Sequence, residues 1–214
     1  MTRFILTFGF LFIVAFSYSQ QEQEILIKAL QSYKKELPKL EKQAFKELRK
    51  LDKTRVKPKN SEFGNYNFII IPILKLKEDF AQYHDGELLT KYIDFGKMWY
   101  HFNAFVFKDT VCIGSLFWGD IGNNFSSSID TNYYNKPRFI SYFNFVRQVM
   151  KFKPDMVFYP DCSMFLCFLK GGKLYIGKGA NKIQTMEDIL PADEFIKKNP
   201  SFIKELHDNK NPGM

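Results

Sequence analysis

The sequence predicts an α+β fold. A central, mostly antiparallel sheet carries one packed helix and short C-terminal helices, with a basic amphipathic helical arm on the N-terminal side. Three observations carry that expectation. Residues 98–118, MWYHFNAFVFKDTVCIGSLFW, read as two arms rich in aromatic and β-branched residues, folded over Lys108-Asp109. Pro137 stands at the start of a stretch with Phe139, Phe143, Val146 and Met150 at helical spacing, which predicts a helix to Phe152 with those four on its packed side. Gly171-Gly172 separates two short apolar runs, a hairpin signal because glycine accepts the positive φ that tight turns demand.

The chain of 214 residues opens on Arg3, an unbroken apolar run over residues 4–16, and Ser17-Tyr18-Ser19. Small residues at 17 and 19 fit a secretory cleavage site, so residues 1–19 are expected to be a signal peptide. The run is short of the roughly 20 residues a membrane span needs. The product is therefore expected to be exported, periplasmic or secreted, with no span in the mature chain. Three cysteines, Cys112, Cys162 and Cys167, do not make a disulfide framework. Cys162 and Cys167 bond only if the chain bends between them, and Cys112 reaches one of them only from a neighbouring strand.

Residues 20–60 form the arm and its linker. Leu26, Leu30, Tyr33, Leu37, Leu40, Ala44, Leu48 and Leu51 recur in steps of three and four, and the stripe keeps phase across Pro38. A kinked helix, or two nearly collinear ones, fits that pattern. The charge is concentrated here: residues 28–59 hold twelve basic and four acidic side chains, a net of +8. The whole chain is also +8, and loss of Arg3 with the leader leaves +7, so everything outside residues 28–59 totals −1. Lys42, Lys46, Arg49, Lys50 and Lys53 follow one another at helical spacing, and such a face suits an anionic surface. The competing expectation is a solvated face whose apolar stripe docks on the sheet. Nucleic acid is not the expected partner, because the arm lacks the interleaved aromatics that stack on bases.

Residues 61–214 form the α+β domain. Residues 67–77 read as a strand that Pro72 places at an edge or bulge. Residues 78–96 contain an Asp85-Gly86 turn and a short helix over 87–92. The hairpin over Lys108-Asp109 is apolar on both faces and is expected mid-sheet with layers on either side. A two-residue turn there pairs Phe105 with Cys112, Asn103 with Gly114 and His101 with Leu116. One face then holds His101 and Asn103 opposite a glycine, a candidate ligand pocket. Two polar side chains satisfied within a half-buried sheet are the plainer reading. Residues 119–136 form a long polar loop with Asp120 and Asp130, oxygen-rich but without the spacing of an EF-hand. A strand over 156–159, a hairpin of 165–169 with 173–176, and a helical tail after Thr185, with its last helix from Pro200, complete the chain.

No phosphate-binding glycine loop, paired metal-ligating histidines or nucleophile elbow is present, so no metal and no cofactor are expected. His84, His101 and His207 lie in separate segments. The leading expectation is a non-enzymatic envelope or secreted binding protein, using the arm for an anionic surface or polymer and the sheet for a small ligand. The alternative is a small secreted or periplasmic hydrolase with His101 as base and Asp120 or Asp130 orienting it.

Overall fold

The computed structural model describes residues 23–46, 66–97, 101–108, 111–119, 126–128, 137–161 and 163–210. Expectations for the leader, the linker and most of the 119–136 loop lie outside those residues. The fold is α+β. Eight strands, β1 (Tyr66–Leu74), β2 (His101–Lys108), β3 (Val111–Gly119), β4 (Ser126–Ser128), β5 (Met156–Pro160), β6 (Leu166–Lys170), β7 (Lys173–Gly177) and β8 (Ile189–Pro191), lie in the order β4-β3-β2-β1-β5-β6-β7-β8. The helices are α1 (residues 23–46), α2 (Pro137–Phe152), α3 (Ala192–Lys198) and α4 (Ser201–Lys210).

Each half of the sheet is an antiparallel run of strands adjacent in sequence. The halves meet at a parallel seam of two residue pairs, Ile73 with Tyr159 and Leu74 with Pro160. The seam is the centre of the sheet, so the hairpin of β2 and β3 lies in one half, between β1 and the short edge strand β4. Pro72 is buried in the interior strand β1, not at an edge. It is tolerated because the side of β1 facing β5 is paired only from Ile73 onward, leaving the missing N–H no bond to make there.

The hairpin register also differs from expectation. Lys108 pairs with Val111 and Phe107 with Cys112, and the register shifts between Val106 and Phe107 so that Val106 meets Gly114. Ile113 is the extra residue of this bulge. Beyond it Phe105 faces Ser115, Asn103 faces Phe117, and His101 faces Gly119. Asn103 therefore has no glycine opposite it. Two displacements add here: Lys108 is itself paired, so the strands close one residue later than a turn at Lys108-Asp109 would have them, and the bulge then changes the parity of every later pair.

Alternation along the strands sorts two cores. Leu74, Met156, Phe158, Cys167, Leu169 and Ile176 face α1, α3, α4 and the turns of residues 78–97. Ile71, Phe105, Phe107, Val157, Leu166 and Phe168 face α2 and the segment with Ala180 and Ile183. Phe105 is 4% exposed with the Phe145 ring 6.2 Å away, so the β2 arm of the hairpin is core as expected; the side chains of β3 lie outside the described ones. Of the four residues expected on the packed side of α2, Val146 packs on this core and Met150 is 70% exposed, while the side chains of Phe139 and Phe143 lie outside the described ones; the buried residues are Phe145 and Phe152.

Helix α1 runs over the first core. Leu26, Ala29, Leu40 and Ala44 are buried, the Tyr33 hydroxyl donates to the Ile70 carbonyl at 3.4 Å, and Phe45 meets Phe68 edge-on at 4.6 Å. From Tyr33 to Phe45 the contacts on β1 step back from Ile70 to Phe68, so α1 crosses antiparallel to β1. The tail is helical only in part, because Ile189–Pro191 forms β8 before α3 begins. Thr185 and Asp188 make the expected capping box, but on a single 3₁₀ turn, Met186–Asp188. Gly171 and Gly172 adopt φ of 55° and 75°, as a tight turn requires.

Candidate functional site: a lysine face and a groove

The outward face of α1 is the first candidate. At 3.6 residues per turn, Lys28, Lys35, Lys39, Lys42 and Lys46 fall within an arc of about 60°. The buried positions Leu26, Ala29, Leu40 and Ala44 lie on the opposite side of the helix. All five lysines are exposed, and Lys28 to Lys46 spans about 27 Å of axis. Lys28 pairs with Glu24 at 2.7 Å and Lys39 with Glu36 at 2.8 Å. No carboxylate among the described residues pairs with Lys35, Lys42 or Lys46. Those three lysines leave the stripe net positive. The structure thus places two of the expected surface-binding residues, Lys42 and Lys46, on one face; Arg49, Lys50 and Lys53 lie outside the described residues. Lys28, Lys35 and Lys39 belong to the same stripe, and a helical projection extended upstream of residue 42 would have found them.

A groove of about 920 Å³ is the second candidate, and the sequence did not signal it. It lies between the first turn of α1, residues 83–90, the start of β7, and helices α3 and α4. Leu26, Leu89, Leu174, Ile196 and Ile203 make it apolar, and Asp85, Lys173, Asp193 and Lys197 line it too. These residues come from five separate elements, which is why no local pattern marked them.

One wall is held rigid by Glu87. Its carboxylate accepts the Tyr92 hydroxyl, the backbone N–H of His84 at 3.0 Å and the Lys91 ammonium at 3.3 Å. The Tyr83 hydroxyl reaches the Glu87 carbonyl at 3.4 Å. The Tyr92 hydrogen bond, then that from His84, pulls the Glu87 carboxyl down from its ordinary 4.5 to about 2. The same bond raises Tyr92, and burial raises Tyr83. Phe80 beneath them is fully buried and stacks on His207 at 4.5 Å.

The expected pocket around His101 and Asn103 is the third candidate. Both side chains belong to the α2 side of β2, because they alternate with Phe105, and both are half-buried. The Asn103 Oδ1 atom is buried with no hydrogen-bond partner among the described residues. Asp120 and Asp130 lie outside those residues, so the expected orienting carboxylate is not placed. His101, His84 and His207 are not brought together. Cys112 of β3 and Cys167 of β6 are four strands apart, about 19 Å, which excludes a disulfide between them. Cys167 is fully buried and free, and burial drives its thiol pKa upward, away from the reactive thiolate. Among the described residues no group of three or more His, Cys, Asp or Glu side chains is arranged to hold a metal, and no helix is long and apolar enough to cross a membrane.

The chain matches no protein-family model, no curated protein and no solved structure.

Proposed function

We propose that this is an exported, non-enzymatic binding protein that docks on an anionic membrane surface through the outer face of α1. The lysine stripe supports this reading most directly: five ammoniums on one helix face, opposite a buried face that fixes the helix to the domain. A docked helix presents its charges in one fixed plane, which a floating arm would not. Such attraction is screened over about 8 Å at physiological salt. Binding to phosphatidylglycerol vesicles should therefore exceed binding to phosphatidylcholine vesicles and weaken steeply with added salt. Replacing Lys35, Lys42 and Lys46 by Glu changes the local charge by about six units without touching the buried stripe. The variant is expected to keep its thermal transition and lose vesicle binding. Undiminished binding refutes the proposal.

Export rests on the apolar run 4–16 and the Ser17-Tyr18-Ser19 site, and predicts a mature start at Gln20 or Gln21 by intact mass. A hydrolase using His101 is the second reading, favoured by Asn103 Oδ1 on the same strand face, which has no hydrogen-bond partner among the described residues. It requires ester or amide hydrolysis that His101→Ala abolishes.

A further inference from the structure

We infer that Ile25 and Ile27, on the first two turns of α1, are an apolar anchor that enters the acyl layer of the membrane on which the lysine stripe docks. This rests on the membrane-docking reading and names what holds the protein there besides charge. Ile25 is 46% exposed and Ile27 54%, although Leu26 between them is buried. At about 100° per residue, Ile25 stands about 60° to one side of Lys28 and Ile27 about 100° to the other. The two side chains therefore bracket the stripe at its N-terminal end and stay outside the face that meets the core. Isoleucine is a poorer helix former than lysine, glutamate or glutamine, and at an exposed position it leaves apolar surface in water. Neither the helix nor the packing beneath it accounts for two such side chains here.

The charge along α1 identifies the partner. Lys28 is paired with Glu24, so the excess of ammoniums begins at Lys35 and continues through Lys42 and Lys46. The outer face thus changes along its length, from apolar at the first turns to cationic beyond them. A second copy of the chain does not complement it, because its stripe carries the same sign. A soluble polyanion matches the ammoniums and leaves the isoleucines in water. An anionic bilayer matches both, with phosphates for the stripe and acyl chains for the anchor, and amphipathic helices reach about 5–10 Å into that boundary. Helix α1 then enters with its first turns deepest. The other large exposed hydrophobic side chains among the described residues, Leu88, Met150, Met164 and Met186, lie outside α1.

The test is co-sedimentation of the mature protein with phosphatidylglycerol vesicles across a salt series, with dextran sulfate as a soluble polyanion that has no acyl layer. Ile25→Ser combined with Ile27→Ser should weaken vesicle binding by about tenfold or more at every salt concentration, since salt screens charges and not apolar burial. The salt dependence of that variant and its affinity for dextran sulfate should stay those of the parent. Leu88→Ser, which removes an exposed aliphatic side chain outside α1, should bind vesicles like the parent. Ile25→Leu combined with Ile27→Leu keeps the apolar surface and should keep the binding. The Lys35, Lys42 and Lys46 reversal should instead lose vesicles and dextran sulfate alike. The two readings therefore fail in different variants: undiminished binding of the lysine reversal refutes the stripe, and undiminished vesicle binding of the double serine variant overturns the anchor. Parallel loss of dextran sulfate binding in the serine variant, or an equal loss of vesicle binding in Leu88→Ser, also overturns it.

Discussion

Glu87 shows how a single side chain organises a wall of the groove, since Tyr92, His84 and Lys91 all converge on its carboxylate. Its folded value of about 2 lies below the ordinary 4.5. Its stabilising contribution is therefore fully present above about pH 4.5 and lost as pH falls from there toward 2. Glu87→Gln should lower the melting temperature near neutral pH, and the gap to the parent should close across that acid window. A gap of constant size would mean that the carboxylate charge is not what holds the loop. None of this was visible in the sequence, where residues 78–96 showed a turn at Asp85-Gly86 and a short helix over 87–92, of which the structure has a 3₁₀ turn over Leu89–Tyr92. The turn is there, with Gly86 at φ 97°, because glycine chemistry is local. The acceptor role of Glu87 depends on a tyrosine and a backbone N–H whose directions only the folded loop sets.

At the level of elements, periodicity identified α1 and its buried side correctly, since apolar spacing at 3.6 residues reports directly which face meets the core. Pro38 does not break it: the helix is continuous over residues 23–46, and Pro38 is exposed. An interior proline forfeits one backbone hydrogen bond and crowds the preceding turn, costing about 3 kcal/mol relative to alanine. Pro38→Ala is expected to raise stability by up to about that amount in urea denaturation, with no loss of vesicle binding. No gain would mean that the helix has already relaxed around the ring. Helix α2 was bounded correctly by Pro137 and the residues after Phe152. Its buried side was read only in part, with Val146 packed as expected but Phe145 and Phe152 buried in place of Met150, because a helix with apolar residues nearly all round does not declare which of them faces the sheet. The hairpin of β2 and β3 was recognised and its register missed for a related reason: both arms are apolar on both sides, so nothing marked that Lys108 is paired with Val111 and not in the turn, or that Ile113 is a bulge.

For the whole molecule, strand identity was legible and strand order was not. Gly171-Gly172 and the Lys108-Asp109 region each specify a local hairpin, but nothing in residues 66–74 announces that their other neighbour is β5, more than eighty residues away. The two-pair seam that makes this join has a kinetic consequence. Within each half, every strand finds its antiparallel neighbours close along the chain, so loop closure is inexpensive; the β1–β5 pairing must close a far longer loop. The halves are then expected to pair early and the seam late. Leu74 is fully buried at the seam, and its carbonyl accepts the Asp161 N–H at 2.6 Å. Leu74→Ala should cost about 2–5 kcal/mol, with most of the change in the unfolding rate and little in the refolding rate. Equal slowing of refolding would put the seam inside the folding nucleus. If it forms last, it is also where the native state opens first. The lifetime of the folded protein is then set by a join only two residue pairs long, however well each half is packed.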